Sequence, residues 1–243
     1  MYFRIPKPRD GWRQFAGEVG IIVLGILIAL GLQQLASAAT DRANASTVRA
    51  NIHAEIEGNL NVIALRQKSE PCVQARLREI AAFLDASERG LKPEPLSWIG
   101  APYAPLLLHT SFQSAQDAGQ FSLLSQAEQH AFAAFYIDID DFNEANTREW
   151  YDWAQLRTLA GQRAMLTATE ITRLRAALQD ARATDWFVRI DTSHNLDRAP
   201  EVGIKVGRDF ADAYQTASVC LPSNMPYADA VKLAGSKRLP FPE

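Results

Sequence analysis

The feature that most constrains this chain is a window without charge near its N-terminus. From Val19 to Leu32 the sequence reads VGIIVLGILIALGL, and no Asp, Glu, Lys or Arg stands between Glu18 and Asp41. A helix over those 22 residues, rising about 1.5 Å per residue, covers roughly 33 Å, enough for a hydrocarbon core of about 30 Å. One membrane span fits, over residues 18–40, with the bilayer itself as the first partner. Arg4, Lys7, Arg9 and Arg13 precede it against a single Asp10, whereas only Arg42 and Arg49 follow closely. Positive charge is retained on the cytoplasmic side, so residues 1–17 are expected to be a cytoplasmic basic leader and the chain after residue 40 to be exported. In a bacterium this means the inner membrane, with the main domain in the periplasm. Trp12 and Phe15 stand where an interfacial aromatic anchor belongs. The competing reading is a cleaved signal peptide, since Ala36-Ser37-Ala38 imitates an A-x-A site. Both readings export the same domain.

The string FAGEVGIIVLGILIALGLQQ, with Gly17-Glu18 at the cytoplasmic edge and Ile22-Val23-Leu24-Gly25-Ile26-Leu27-Ile28-Ala29-Leu30 following, resembles the opening of a bacterial family of single-span proteins with a domain of unknown function. Its shared pattern is GE-x-x-x-I-V-x-G-I-L-I-A-L. The stretch from Phe112 to Tyr136, with an Ala-Gly break before Phe121-Ser122-Leu123-Leu124, is similar in rhythm to that family's middle part. The resemblance implies an uncleaved anchor and an all-helical extracytoplasmic domain. It carries no catalytic residues over to this chain.

Beyond the span, Val48, Ile52, Ile56, Leu60 and Ile63 recur at helical spacing, which predicts that the transmembrane helix continues as one rod to about Lys68. Pro71 suits the first turn of a second helix with the stripe Val73, Leu77, Ile80 and Leu84, ending at Gly90. Four prolines between residues 91 and 109 predict an extended connection, and Trp98, Tyr103 and Leu106 to Leu108 suggest that it is packed down. Ser125-x-x-Glu128 is a capping box. A long helix is expected from it, with its stripe running through Phe132, Phe135, Tyr136, Ile139, Phe142, Trp150, Trp153, Leu156, Leu159, Ile171, Leu174 and Leu178, and with Gly161 as a point of interruption. Val202, Val206, Phe210, Tyr214 and Ala217 predict a last amphipathic segment. Residues 221–243, rich in proline, are expected to be an irregular tail. Strand patterns are almost absent. The expected fold is all-α, a transmembrane helix continuing into an elongated antiparallel helical bundle over residues 41–220.

Chemistry is sparsely signalled. There is no HExxH, G-x-S-x-G, Walker A or dinucleotide-binding glycine run, so no catalysis, cofactor or metal is expected. Asp138, Asp140, Asp141 and Glu144 read first as a solvated helix face and second as a surface for an ion or a partner. His53, His109, His130 and His194 are scattered, and Asp191-x-x-His194 is the nearest approach to a ligand pair. A net charge of −3 argues against nucleic acid. Trp150, Tyr151 and Trp153 form a candidate ligand or partner surface against a core-packing alternative. Gly20, Gly25 and Ala29 offer a small-residue face for helix packing within the membrane. Cys72 and Cys220, the only cysteines, both fall on the exported side and are expected to form a disulfide, against separately buried thiols or an intermolecular bond. Two functions follow: a membrane-anchored interaction or scaffold module, or a small-molecule sensor with an aromatic-lined interior. A sensor normally needs a second span toward a cytoplasmic output, and no later stretch is apolar enough, which favours the first.

Overall fold

The computed structural model describes residues 11–102, 105–162, 165–206 and 218–236. Among these residues the protein is all-α, with five α-helices, four short 3-10 turns and no strand. The first helix, α1, runs unbroken from Trp12 to Glu88, 77 residues, or about 115 Å. Its opening third is bare. Every large apolar side chain from Val19 to Leu35 is at least 41% exposed, and no described residue covers the apolar window. From Ala45 onward the same helix buries one face, with Val48, Ile52, Ile56, Leu60 and Ile63 all sealed in the core.

The break expected at residues 68–71 is absent. Pro71 lies inside α1, so Cys72 sits in mid-helix rather than at a helix start. Proline deprives the Gln67 carbonyl of its amide partner at a cost of about 3 kcal/mol. Pro71 faces solvent, while Ile63, Leu65, Val73 and Leu77 on either side are buried. Packing on both flanks outweighs the lost bond.

α2 (Thr110–Asp117), α3 (Gln126–Leu156), α4 (Ala168–Arg198) and α5 (Tyr227–Ser236) complete the set. Cross-helix contacts give their directions. Arg49 meets Glu128, Tyr136 meets Glu55 and Arg66 meets Glu149, so α3 runs parallel to α1. Arg66 also meets Asp185 and Arg198 meets Asp138, so α4 runs antiparallel to both. Residues 91–124 therefore travel back along the bundle, and they do so mostly without helix. Leu96 and Ile99 pack into the end far from the apolar window, and Leu107 into the near end. Two asparagines grip this return limb. The Asn59 side chain donates to the Leu108 carbonyl at 2.6 Å and accepts its amide at 2.8 Å, while Asn143 treats Leu107 the same way at 3.0 and 2.8 Å. The short α2 was not apparent from its sequence. Its first amides donate to Glu55 on α1 at 2.7 and 3.4 Å, so a tertiary contact supplies its N-terminal cap. The Ala-Gly break follows, with Gly119 left-handed.

Ser125 caps α3 as expected, with its capping box intact. The stripe from Phe132 to Leu178 divides between two helices: α3 ends at Leu156, Gly161 adopts φ +72°, and a second capping box, Thr167 with Glu170, opens α4. Val202 lies in a 3-10 turn that closes on a left-handed Gly203. Phe210, Tyr214 and Ala217 lie outside the described residues, as do the leader residues Arg4, Lys7, Arg9 and Asp10, and Tyr103. Of the return limb's other apolar side chains, Leu107 is buried whereas Leu106 and Leu108 are exposed. The segment from Leu221, expected to be irregular, carries α5. Pro226 caused that misreading: its carbonyl accepts amides of α5, so it belongs to the helix start, where proline is favoured.

Candidate functional site

Three structural devices distinguish this bundle, and each grows out of a departure from simple apolar striping. The first is a buried ionic layer. On α1 the stripe passes from Ile63 to Val73 through Arg66, Ser69 and Glu70; on α3 it passes from Phe142 to Trp153 through Asn146 and Glu149; on α4 Asp185 interrupts Ala181 and Val188. The three interruptions meet at one level. The Arg66 guanidinium, 1% exposed, donates to Glu70 at 2.8 Å, Glu149 at 2.8 Å and Asp185 at 2.7 Å. Gln74 donates to Asp185 at 2.6 Å and to Glu70 at 2.8 Å. Three carboxylates thus surround one cation. Burial pushes the Glu149 and Glu70 carboxyls up from their ordinary range, against the pull of Arg66. The more exposed Arg189 approaches Glu70 at 3.8 Å, and the Arg66 Nε finds no acceptor among the described residues. The sequence reading missed this layer. Its signal was available: three stripes lose apolar character at positions that a common register superposes.

The layer divides the core in two. On the side nearer the apolar window lies a cluster rich in aromatics, with Phe132, Phe135, Tyr136 and Phe142 against Ile52, Ile56 and Leu60 of α1. Tyr136 donates to Glu55 at 2.6 Å, and burial with that contact raises its phenol above the ordinary value. On the far side Trp153 packs with Val73, Leu77, Ile80, Leu84 and Leu178.

The second device is a strap over the far end. Cys72 and Cys220 stand at disulfide distance, 2.14 Å between sulfurs. Arg76, one turn on, donates to the carbonyls of Trp98 (2.8 Å), Ile99 and Leu221 (2.5 Å), tying the return limb and the C-terminal region to α1. The Trp98 indole donates to the Ser218 carbonyl at 2.7 Å. A Cβ on Gly100, whose φ is +69°, would come within 2.2 Å of that carbonyl oxygen, so glycine is required there. The disulfide links two residues of a structural tie and is not placed as a reactive pair.

The third device is an open groove of about 630 Å³ between α3 and α4, lined by no residue of α1. From α3 it takes Asp141, Glu144, Ala145, Arg148, Tyr151 and Asp152, and from α4 Asp180, Ala183, Thr184, Phe187 and Asp191. Five carboxylates face one guanidinium, and that guanidinium is paired with Glu144. Asp152 accepts from Thr184 at 2.9 Å. Burial raises the carboxyls of Asp152 and Asp191; the neighbouring Asp180 adds to the first and Asp141 to the second, while His194 partly offsets the second.

The residues expected to matter separate accordingly. Trp153 is fully buried, whereas Trp150 is 56% and Tyr151 61% exposed, so the three aromatics form no common pocket. Trp150 carries the Arg157 guanidinium 5.8 Å above its ring, and Tyr151 lines the groove. The reason is helical phase: positions 150 and 151 turn outward on a helix whose 149 and 153 positions face the core. Within the acidic run, Asp138 pairs with Arg198 at 2.7 Å, Asp140 lies 3.7 Å from His109, and Asp141 and Glu144 turn into the groove. Among the described residues no group of three or more His, Cys, Asp and Glu is arranged to hold a metal ion. Beyond the neighbouring backbone of α1, no described residue lies within 4 Å of where a Cβ on Gly20 or Gly25 would project, and Ala29 is likewise exposed.

No protein-family model, no curated protein and no solved structure matches this chain.

Proposed function

We propose that this chain is a single-span protein of the bacterial inner membrane, its basic leader cytoplasmic, whose periplasmic helical bundle serves as an interaction or scaffold module rather than an enzyme. One observation carries the reading: α1 passes without a break from a bare apolar segment long enough to cross a bilayer into the central helix of a packed bundle. A loop between anchor and domain would leave the bundle free to tumble. A continuous helix fixes its height and orientation above the membrane, which is what a docking platform needs. The first buried side chain, Ala45, follows the uncharged window by only a few residues, so the near end of the bundle stands at the membrane surface. A disulfide pair on the exported side suits an oxidising compartment. Helical continuity across Ala36-Ser37-Ala38 favours an uncleaved anchor, because signal cleavage needs an accessible extended site.

The test is fractionation followed by protease treatment of spheroplasts. The reading expects the full-length chain to stay in carbonate-washed membranes, to begin at Met1 or Tyr2, and to lose its bundle to external protease while an N-terminal tag survives. A mature chain beginning at Ala39, or release by carbonate, overturns it.

A further inference from the structure

We propose that the open groove between α3 and α4 is the docking site for a basic amphipathic helix of a partner protein. This names the partner chemistry of the interaction module proposed above and rests on that reading. α4 packs against both α1 and α3, whereas the return limb of residues 91–124 bridges α1 to α3, pinned by Asn59 on one and Asn143 on the other. Among the described residues the α3–α4 gap receives no such limb. An open seam between two antiparallel helices is the kind of groove into which an amphipathic helix lays its apolar face.

The seam has the character of a recognition surface. Its middle holds Ala145, Ala183 and Phe187 beside Thr184 and the Arg148–Glu144 ion pair. Phe187 is 54% exposed and stacks edge-on with Trp186, itself 51% exposed, at 5.0 Å. Such large aromatics are costly to leave in water and are typical anchors of interfaces. The charge pattern then selects the occupant. Because α3 and α4 are antiparallel, in the register set by the Asp152–Thr184 and Asp138–Arg198 contacts, Asp141 and Asp191 line one end of the groove and Asp152 and Asp180 the other. Each pair is separated from the other by 11 residues of helix on both elements, or about 16 Å. The complementary object is a helix of about three turns, apolar along one stripe, with Lys or Arg near both ends. An acidic or neutral helix would meet uncompensated carboxylates, two of them already partly desolvated.

The experiment uses the disulfide-intact full chain in nanodiscs of zwitterionic lipid, with empty nanodiscs as control. The probe is a labelled 15-residue Ala/Leu helix carrying Lys at positions 2 and 13; a second probe has Glu at both positions. Fluorescence anisotropy is expected to show binding of the Lys peptide alone, weakened about tenfold or more between 50 and 500 mM salt, where the screening length shrinks severalfold. Asp141→Asn with Asp191→Asn should weaken it about tenfold, and Phe187→Lys should abolish it. Phe187 is exposed, so an unchanged helical circular dichroism spectrum certifies the fold of that variant. Three results overturn the proposal: equal binding of the two peptides, binding insensitive to the groove substitutions, or a change in oligomeric state with Phe187→Lys, which would make a second copy the occupant. Binding of spermine in place of the peptide, with the same variant dependence, overturns it too, in favour of a small cation. Failure to enter nanodiscs strikes the anchor reading instead, and the peptide is then titrated on the soluble chain.

Discussion

The two ends of α1 are patterned differently, and the proposed membrane anchor rests on that difference. Between Val19 and Leu32 its large side chains are apolar on every side and exposed; between Ala45 and Leu84 one face carries the large apolar residues, and that face is buried. A helix that buries a stripe in protein has a polar back that water can cover. A helix without a polar back finds its match only in hydrocarbon or in protein on all sides. The bare end lacks protein cover, and the difference in patterning, rather than in helix propensity, separates anchor from core.

The largest effect should come from breaking the pattern of the bare end. Leu24→Lys combined with Ile28→Lys places two cations near the middle of the window, each costing about 2.5–3.5 kcal/mol of insertion. The chain should leave carbonate-washed membranes while the bundle's urea unfolding midpoint stays within error. A shifted midpoint would mean that the two ends are not independent.

On the bundle side, Arg66→Met strands Glu70, Glu149 and Asp185 around an apolar side chain. Stability should fall by about 3–5 kcal/mol, and adding Glu149→Gln with Asp185→Asn should recover much of it. Membrane retention should not change. Replacing both Cys72 and Cys220 by serine opens a closure across 148 residues and should cost about 2–4 kcal/mol in chemical unfolding, with the far core, which contains both cysteines at its edge, exchanging amide hydrogens faster than the aromatic near core. Uniform loss of protection would show that the ionic layer does not separate two cores.

Acidity gives a smaller effect with a definite sign. Glu70, Glu149, Asp152 and Asp191 hold their protons more tightly when folded, so stability falls as pH rises from the ordinary carboxylate range through their raised values. Glu128 is opposite: Arg49 and Ser125 hold it at about 2, so its contribution is present above about 4.5 and is lost as pH falls from there toward 2. The urea midpoint should be higher at pH 5 than at pH 7.5, and Glu128→Gln should remove the loss that Glu128 contributes as pH falls from about 4.5 toward 2. The smallest effect is Ser125→Ala, which removes the α3 cap and should cost about 1 kcal/mol.

How much of this was legible in the sequence depended on range. The span, the stripes of α1 and α3, the Ser125 cap and the cysteine pair were readable because each is set by neighbours within a few turns or by there being only two cysteines. Pro71 misled because local chemistry favours a helix start and only distant packing overrules it. Pro226 misled in the reverse direction, since a proline at the edge of a tail looks like disorder when it is in fact opening α5. Arg66, Glu149 and Asp185 were invisible one helix at a time, and the groove needed the antiparallel pairing of α3 and α4 before Asp141 and Asp191 became neighbours.

The central claim is that one uninterrupted helix changes solvent along its length. Nitroxide labels placed singly from Val19 to Leu84 in proteoliposomes, with the native disulfide intact, test it through collision rates with oxygen and with a polar nickel reagent. The account predicts that labels over residues 19–40 are all oxygen-accessible, with a smooth depth maximum near Ala29, and that labels from Ala45 onward alternate between accessible and protected with a period of 3.6 residues. A 3.6-residue alternation running through residues 19–40, or labels there that are as open to nickel as those at Glu57, would contradict it.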